Sequence, residues 1–135
     1  MDSIANMLTM IHNAQAASKP VVIAPYSKMK YDIAKIFEKK KFIAGVEKKM
    51  KKIKRNAKPR LCLEITLKYV NNKIPAISGY RKISKPGQRI YLAAKEIKKV
   101  KQGRGIGVIS TSKGLMADHE AKKENIGGEL ICEIW

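Results

Sequence analysis

Apolar residues Ile4, Met7, Leu8, Ile11 and Ala14 recur at steps of three and four, one stripe of a 3.6-residue period, so the spacing predicts an amphipathic helix over about 3 to 16. Asp2 or Ser3 can cap its start, and Lys19-Pro20 ends it. Val21-Val22-Ile23-Ala24, closed by Pro25, reads as a short strand. Ser27 then caps a second helix with apolar positions Met29, Ile33, Ile36 and Phe37. Alternation is partial from Phe42 to Ile53. Leu61, Leu63, Ile65, Leu67 and Tyr69 alternate cleanly with Cys62, Glu64, Thr66 and Lys68, and the two segments predict a hairpin.

Asn71-Asn72 marks a turn, after which Ile74, Ala76, Ile77, Tyr80 and Ile83 predict a further strand leading into the tight turn Ser84-Lys85-Pro86-Gly87. A short strand at Arg89 to Leu92 and a helical turn within Ala94 to Val100 follow. Next come the glycine-spaced Gly103-Arg104-Gly105-Ile106-Gly107 and a strand through Val108-Ile109. Residues about 117 to 125 read as helix with Gly127-Gly128 as the stop, and Glu129 to Trp135 alternate as a closing strand. The predicted class is α+β, as two small packed domains. Residues 1–75 form a helix-strand-helix-hairpin unit and residues 76–135 a mostly antiparallel β unit with a short helix, the seam falling between about 70 and 80.

Composition sharpens this picture. The 135 residues suffice for a real core, and no run approaches the roughly eighteen to twenty apolar residues that span a bilayer. The amino terminus, Met1-Asp2-Ser3-Ile4, has an acid where a secretory signal carries lysine or arginine, which argues against export and predicts a soluble protein of the cytoplasm or, alternatively, of an organelle. Cys62 and Cys132 sit among leucine and isoleucine and read as small buried hydrophobes rather than a disulfide.

The net charge is +18 at pH 7. Residues 28 to 60 hold fourteen basic and three acidic residues, whereas residues 106 to 135 hold three and five. An excess of that size in one segment exceeds what solubility asks of a small domain, and it suits the neutralisation of phosphates without regard to sequence. The carboxy-terminal segment cannot bind by bulk charge. There Ser110-Thr111-Ser112-Lys113-Gly114 brings three hydroxyls, a lysine and a glycine off a β-branched strand, a set of directed donors for phosphate, sugar and base-edge acceptors. The bland alternative is a polar turn, since the same residues populate turns for backbone reasons.

Other chemistry finds less support. His12 and His119 could serve as acid and base of an RNA-cleaving enzyme, but nothing in the sequence makes them neighbours. The glycines at 103, 105 and 107 precede a strand, where a dinucleotide fingerprint needs them between strand and helix. Ser112-Lys113 lacks the glycine and hydroxyl of a Walker loop. No zinc spacing and no paired carboxylates occur, so neither cofactor nor metal is expected. A cationic membrane-surface protein would need a basic amphipathic helix bearing aromatics, which the pattern lacks.

Four motifs in order carry a resemblance: Ile4-Ala5-Asn6-Met7-Leu8-Thr9 with Asn13-Ala14; Ser84-Lys85-Pro86-Gly87-Gln88-Arg89-Ile90-Tyr91; Ser110-Thr111-Ser112-Lys113-Gly114; and Gly127-Gly128-Glu129-Leu130-Ile131-Cys132. Over its whole length the chain resembles the bacterial-type family of the eighth protein of the small ribosomal subunit. The resemblance implies a non-enzymatic constituent of the subunit that binds a junction in the central domain of small-subunit ribosomal RNA and supports assembly. It further implies a mimic of that site on its own operon's messenger RNA as a second target. By the same resemblance Ser110, Thr111, Ser112, Lys113 and Gly114 contact RNA, as does Arg89 within its motif; Tyr91 stacks or hydrogen-bonds, and Glu129 helps to hold the loop. Lys28 and Lys30 meet phosphates of a neighbouring segment. The implied partners are ribosomal RNA, neighbouring small-subunit proteins and that messenger RNA, with no membrane and no small-molecule substrate. Three features depart from the family: His12 replaces a common arginine, Glu96-Ile-Lys-Lys-Val100 lacks a proline that relatives often carry, and Ala117 replaces the threonine that usually caps the late helix, at a cost of about 1 kcal/mol unless Asp118 substitutes.

Overall fold

A computed structural model describes residues 3–52 and 54–135; Asp2, one of the two caps considered for the first helix, and Ile53, the end of the partly alternating segment, lie outside them. In chain order the elements are α1 (Ser3–Ala16), β1 (Val21–Pro25), α2 (Lys28–Lys39), β2 (Ile43–Lys51), β3 (Arg60–Leu67), β4 (Tyr69–Val70), β5 (Ile74–Pro75), β6 (Tyr80–Lys82) and β7 (Tyr91–Leu92). The 3₁₀ turns Ala94–Glu96 and Val100–Gly103 follow, then β8 (Ile106–Thr111), β9 (Gly114–Ala117), α3 (Asp118–Lys123) and β10 (Gly128–Ile134). The class is α+β, with antiparallel sheets. The chain divides into one unit of residues 6–76 and another of residues 77–135 with the first turn of α1.

The stripe that predicts α1 is its buried face: Ile4, Met7, Leu8, Ile11 and Ala14 are all buried. The helix stops before Pro20 through its own backbone. Ser18 takes a left-handed φ of 55°, its N–H bonds to Gln15 O at 3.0 Å, and Lys19 N–H bonds to Ala14 O at 2.9 Å, which satisfies the last carbonyls. Beyond it β3 is the central strand of a sheet ordered β1-β3-β2. Ser27 caps α2 as predicted, its Oγ accepting from Lys30 N at 3.1 Å. The face that α2 buries, however, is Lys30, Ile33, Ala34 and Phe37, while Met29 is exposed. The reason is spacing: Lys30 stands three and four residues before Ile33 and Ala34, so it shares their stripe.

After β4, Asn71 and Asn72 take positive φ and Lys73 N–H bonds back to Val70 O, closing the predicted turn onto β5. The single strand expected through Ile83 is instead two pieces, β5 and β6. Pro75 cannot donate to a ladder, and Gly79 N–H is drawn off to Trp135 O at 3.0 Å.

In the second unit β10 is the hub, pairing β6, β7 and β8, and β9 extends the sheet from β8. Lys85 and Gln88 exchange both backbone hydrogen bonds at 2.9 Å around Pro86-Gly87. The wholly buried Ser84 ties that turn down: its hydroxyl donates to Leu130 O at 2.7 Å and accepts from Ile90 N at 3.0 Å. Ala117 provides no side-chain cap to α3, and Asp118 Oδ1 takes the His119 N–H at 2.9 Å. The helix ends at Lys123 and the chain turns off it at Asn125, φ 56°, with Ile126 N–H on Ala121 O at 2.9 Å, ahead of the Gly127-Gly128 stop the sequence suggests. Gly128 serves another purpose, since a Cβ there would overlap the carbonyl of Ser110 across the β8–β10 pairing. Cys62 and Cys132 are both buried and form no disulfide.

Candidate nucleic-acid interface

The hydroxyl run does not leave the strand as one cluster. Ser110 and Thr111 both belong to β8, where Ser110 opposes Leu115 and Thr111 opposes Gly114, so alternation sends their side chains to opposite faces. Thr111 is occupied with the turn itself: Oγ1 donates to Gly114 O at 2.7 Å and accepts from Lys113 N at 3.1 Å. Gly114 holds φ 103°, a conformation L side chains rarely adopt, with open space where a Cβ would sit. Ser112 and Lys113 are left exposed at the tip.

Behind the tip the sheet assembles a row. Glu129 on β10 lies opposite Ser110 on β8 and opposite Tyr91 on β7. Directly opposed residues share a face, so Tyr91, Glu129, Ser110 and Leu115 line one surface that ends at the turn. Tyr91 is 69% exposed despite its size. Arg89 Nη1 meets Glu129 Oε2 at 3.3 Å, which fixes a guanidinium at the margin of the row. Arg89 and Tyr91 from one stretch of chain and Ser110 from another thus present polar groups beside Glu129, and Ser112 and Lys113 lie exposed at the turn beyond. Sequence alone does not reveal what aligns them: the Ser84 hydroxyl and Gly128, both pinning β10.

Lys28 and Lys30 belong to the first unit, at the start of α2. Lys28 is exposed and paired with Asp32 at 3.0 Å. Lys30 is 6% exposed, and burial lowers its pKa from the ordinary 10.5. The two lysines therefore differ: one offers a solvated charge, the other a desolvated one.

Between Glu47 and Glu64 the chain carries eight Lys and Arg and no acid. Neighbours already engage part of that charge. Glu64 accepts from Lys51 at 3.0 Å and Lys49 at 3.2 Å, and these bonds, Lys51 first, hold its carboxyl below the ordinary value while Glu64 raises Lys49. Lys48 Nζ lies 4.6 Å from the ring centre of Tyr31 and 5.4 Å from that of Tyr26. Lys52, Lys54, Arg55, Lys58 and Arg60, around the hairpin end, are exposed and have no acid partner among the described residues.

His12 is exposed on α1, and His119 is exposed at the start of α3 with Nδ1 3.7 Å from Asp118 Oδ1. Among the described residues no group of three or more His, Cys, Asp or Glu is arranged to hold a metal ion. No helix among them is long and apolar enough to cross a membrane.

A cationic hairpin in one unit and a nearly neutral, donor-rich sheet edge in the other have the chemistry of a protein that faces a structured polyanion. Comparison with known proteins specifies the family. The model for Ribosomal protein S8 matches residues 2–135. Relatives described as small ribosomal subunit protein uS8 include that of Persephonella marina, 46% identical over 99% of this chain and 98% of the relative. Those of Caldanaerobacter subterraneus, at 48%, and Clostridioides difficile, at 45%, each cover 99% of this chain and 97% of the relative. The chain belongs to the ribosomal protein S8 family.

Proposed function

We propose that this chain is a structural, non-enzymatic constituent of the small ribosomal subunit in the cytoplasm, binding small-subunit ribosomal RNA directly at a junction of the central domain. The observation that carries the reading is the Tyr91–Glu129–Ser110 row running to the exposed Ser112-Lys113 tip. Small hydroxyls, main-chain groups and one exposed ring fit an irregular RNA shape, whereas bulk charge would fit any duplex. Arg89 and Lys113 supply charge at its margins, Thr111 and Gly114 hold the turn, and Glu129 orients Arg89. The exposed Lys28 adds phosphate contacts from the other unit, with Lys30, whose stem lies in the buried stripe, a lesser contributor behind it, so that residues 1–75 and 76–135 act as two RNA-binding domains. Neighbouring small-subunit proteins are further partners, and a messenger RNA that mimics the junction would be held by the same row.

Hydroxyl-radical footprinting of small-subunit ribosomal RNA bound to the purified chain tests this reading. Protection confined to a central-domain junction, and abolished by Ser112→Ala, is expected. Diffuse protection unaffected by that substitution contradicts it. An RNA-cleaving role for His12 and His119 is not favoured by the family relationship, and cleavage of labelled RNA that disappears in the double His→Ala variant would reinstate it.

A further inference from the structure

The second unit holds a cleft of about 690 Å³ beside the 3₁₀ segment, which RNA binding by the row leaves unused. Its floor is aliphatic, made by Leu92, Ile97, Val100, Ile109 and Leu130. Ile97 and Ile109 are part of the core, while Leu92 and Leu130 pack against it only half-buried. Leu92 and Leu130 follow Tyr91 and Glu129 in their strands, as Ile109 precedes Ser110. Alternation therefore opens this cleft on the face of the sheet opposite the row. Exposed Lys95, Lys98 and Lys99 form one wall, with no acid partner among the described residues. A smaller cleft of about 330 Å³ shares Lys98, Lys99 and Asp118 and continues to Lys122 and Lys123. Lys122 braces the shared wall, its Nζ donating to Ile97 O at 3.0 Å.

Three features select an occupant. An aliphatic floor without an aromatic ring gives an apolar side chain a place to bury but gives a base nothing to stack on. Three carboxylates line the cleft and each is already engaged, Glu96 accepting from Ala93 N–H at 2.7 Å, Asp118, 7% exposed, from His119 N–H at 2.9 Å, and Glu133 paired with Arg81 at 3.1 Å; a remaining carboxylate oxygen can accept a further N–H. The lysine wall in turn complements carboxylates. We infer that the cleft docks an acidic, leucine-bearing segment of a partner protein. Its apolar side chain lies on Leu92 and Leu130, its carboxylates lie at Lys98 and Lys99, and a main-chain N–H faces Asp118. This inference is independent of RNA binding, because the two surfaces lie on opposite faces of the same sheet.

The test is amide chemical-shift mapping on the full chain. The probes are the capped pentapeptide Glu-Leu-Glu-Leu-Glu, its equally charged counterpart Glu-Ser-Glu-Ser-Glu, and a random RNA duplex. The leucine peptide is expected to shift Ile97, Val100, Ile109 and Leu130 saturably, the serine peptide not to. Lys98→Ser with Lys99→Ser, both surface changes, should weaken the leucine peptide about five-fold. Equal cleft shifts from both peptides, shifts confined to residues 48–60, or cleft shifts from the RNA duplex would each overturn the inference, the last assigning the cleft to nucleic acid.

Discussion

Thr111 and Ser112 carry the same functional group and use it differently. Thr111 commits its hydroxyl to the turn, donating to Gly114 O and accepting from Lys113 N, so Thr111→Ala should lower unfolding stability by about 1 kcal/mol in chemical denaturation. Ser112 is exposed, and Ser112→Ala should leave the unfolding midpoint where it is while weakening binding to the cognate RNA. Lys30 offers a second contrast within one residue type. Because burial lowers its pKa, the unfolded chain holds that proton more tightly than the folded one. The cost of the buried charge is full below the lowered pKa and vanishes as pH rises through it toward 10.5. Lys30→Met should therefore raise the thermal midpoint of the free protein at neutral pH, and the gain should shrink in alkaline buffer. A gain that is constant with pH would mean packing, not charge, is responsible.

Elements show where sequence reading reaches and where it stops. Helical periods mark α1 and α2 because one face of each is buried, alternation marks β3 from Leu63 to Leu67, and β1 is marked by its run of β-branched residues instead. Met29 and Lys30 stand on the faces opposite to those that apolarity assigns them, because spacing decides, and the butyl stem of a lysine can cover a stripe as an apolar residue does. The break between β5 and β6 rests on a bond from Gly79 to Trp135 O at the far end of the chain, and no local pattern reports it. The hydroxyl run is legible as composition, yet its division between strand and turn depends on where β8 stops pairing with β9. The β2–β3 hairpin gives this scale its prediction. Glu64 restrains Lys49 and Lys51, so Glu64→Gln should tighten binding to random duplex and steepen the dependence of log affinity on log salt by about one unit. An unchanged slope would show that those lysines never face phosphate.

For the molecule as a whole, a charge of +18 is divided unevenly, and the proposed function assigns grip and discrimination to different surfaces. On the proposed reading, lysines at the hairpin end neutralise phosphates on any RNA, while the Tyr91–Glu129–Ser110 row and its tip respond to one shape. Equilibrium binding to the central-domain junction and to a random duplex, across a salt series, measures that division for Ser112→Ala and for Lys54→Ala with Lys58→Ala. Ser112→Ala should lower affinity for the junction alone and leave both salt slopes unchanged; the paired lysine substitution should weaken both RNAs and flatten both slopes by about one unit for each phosphate that is no longer neutralised. Equal weakening on both RNAs from both kinds of substitution would contradict the account.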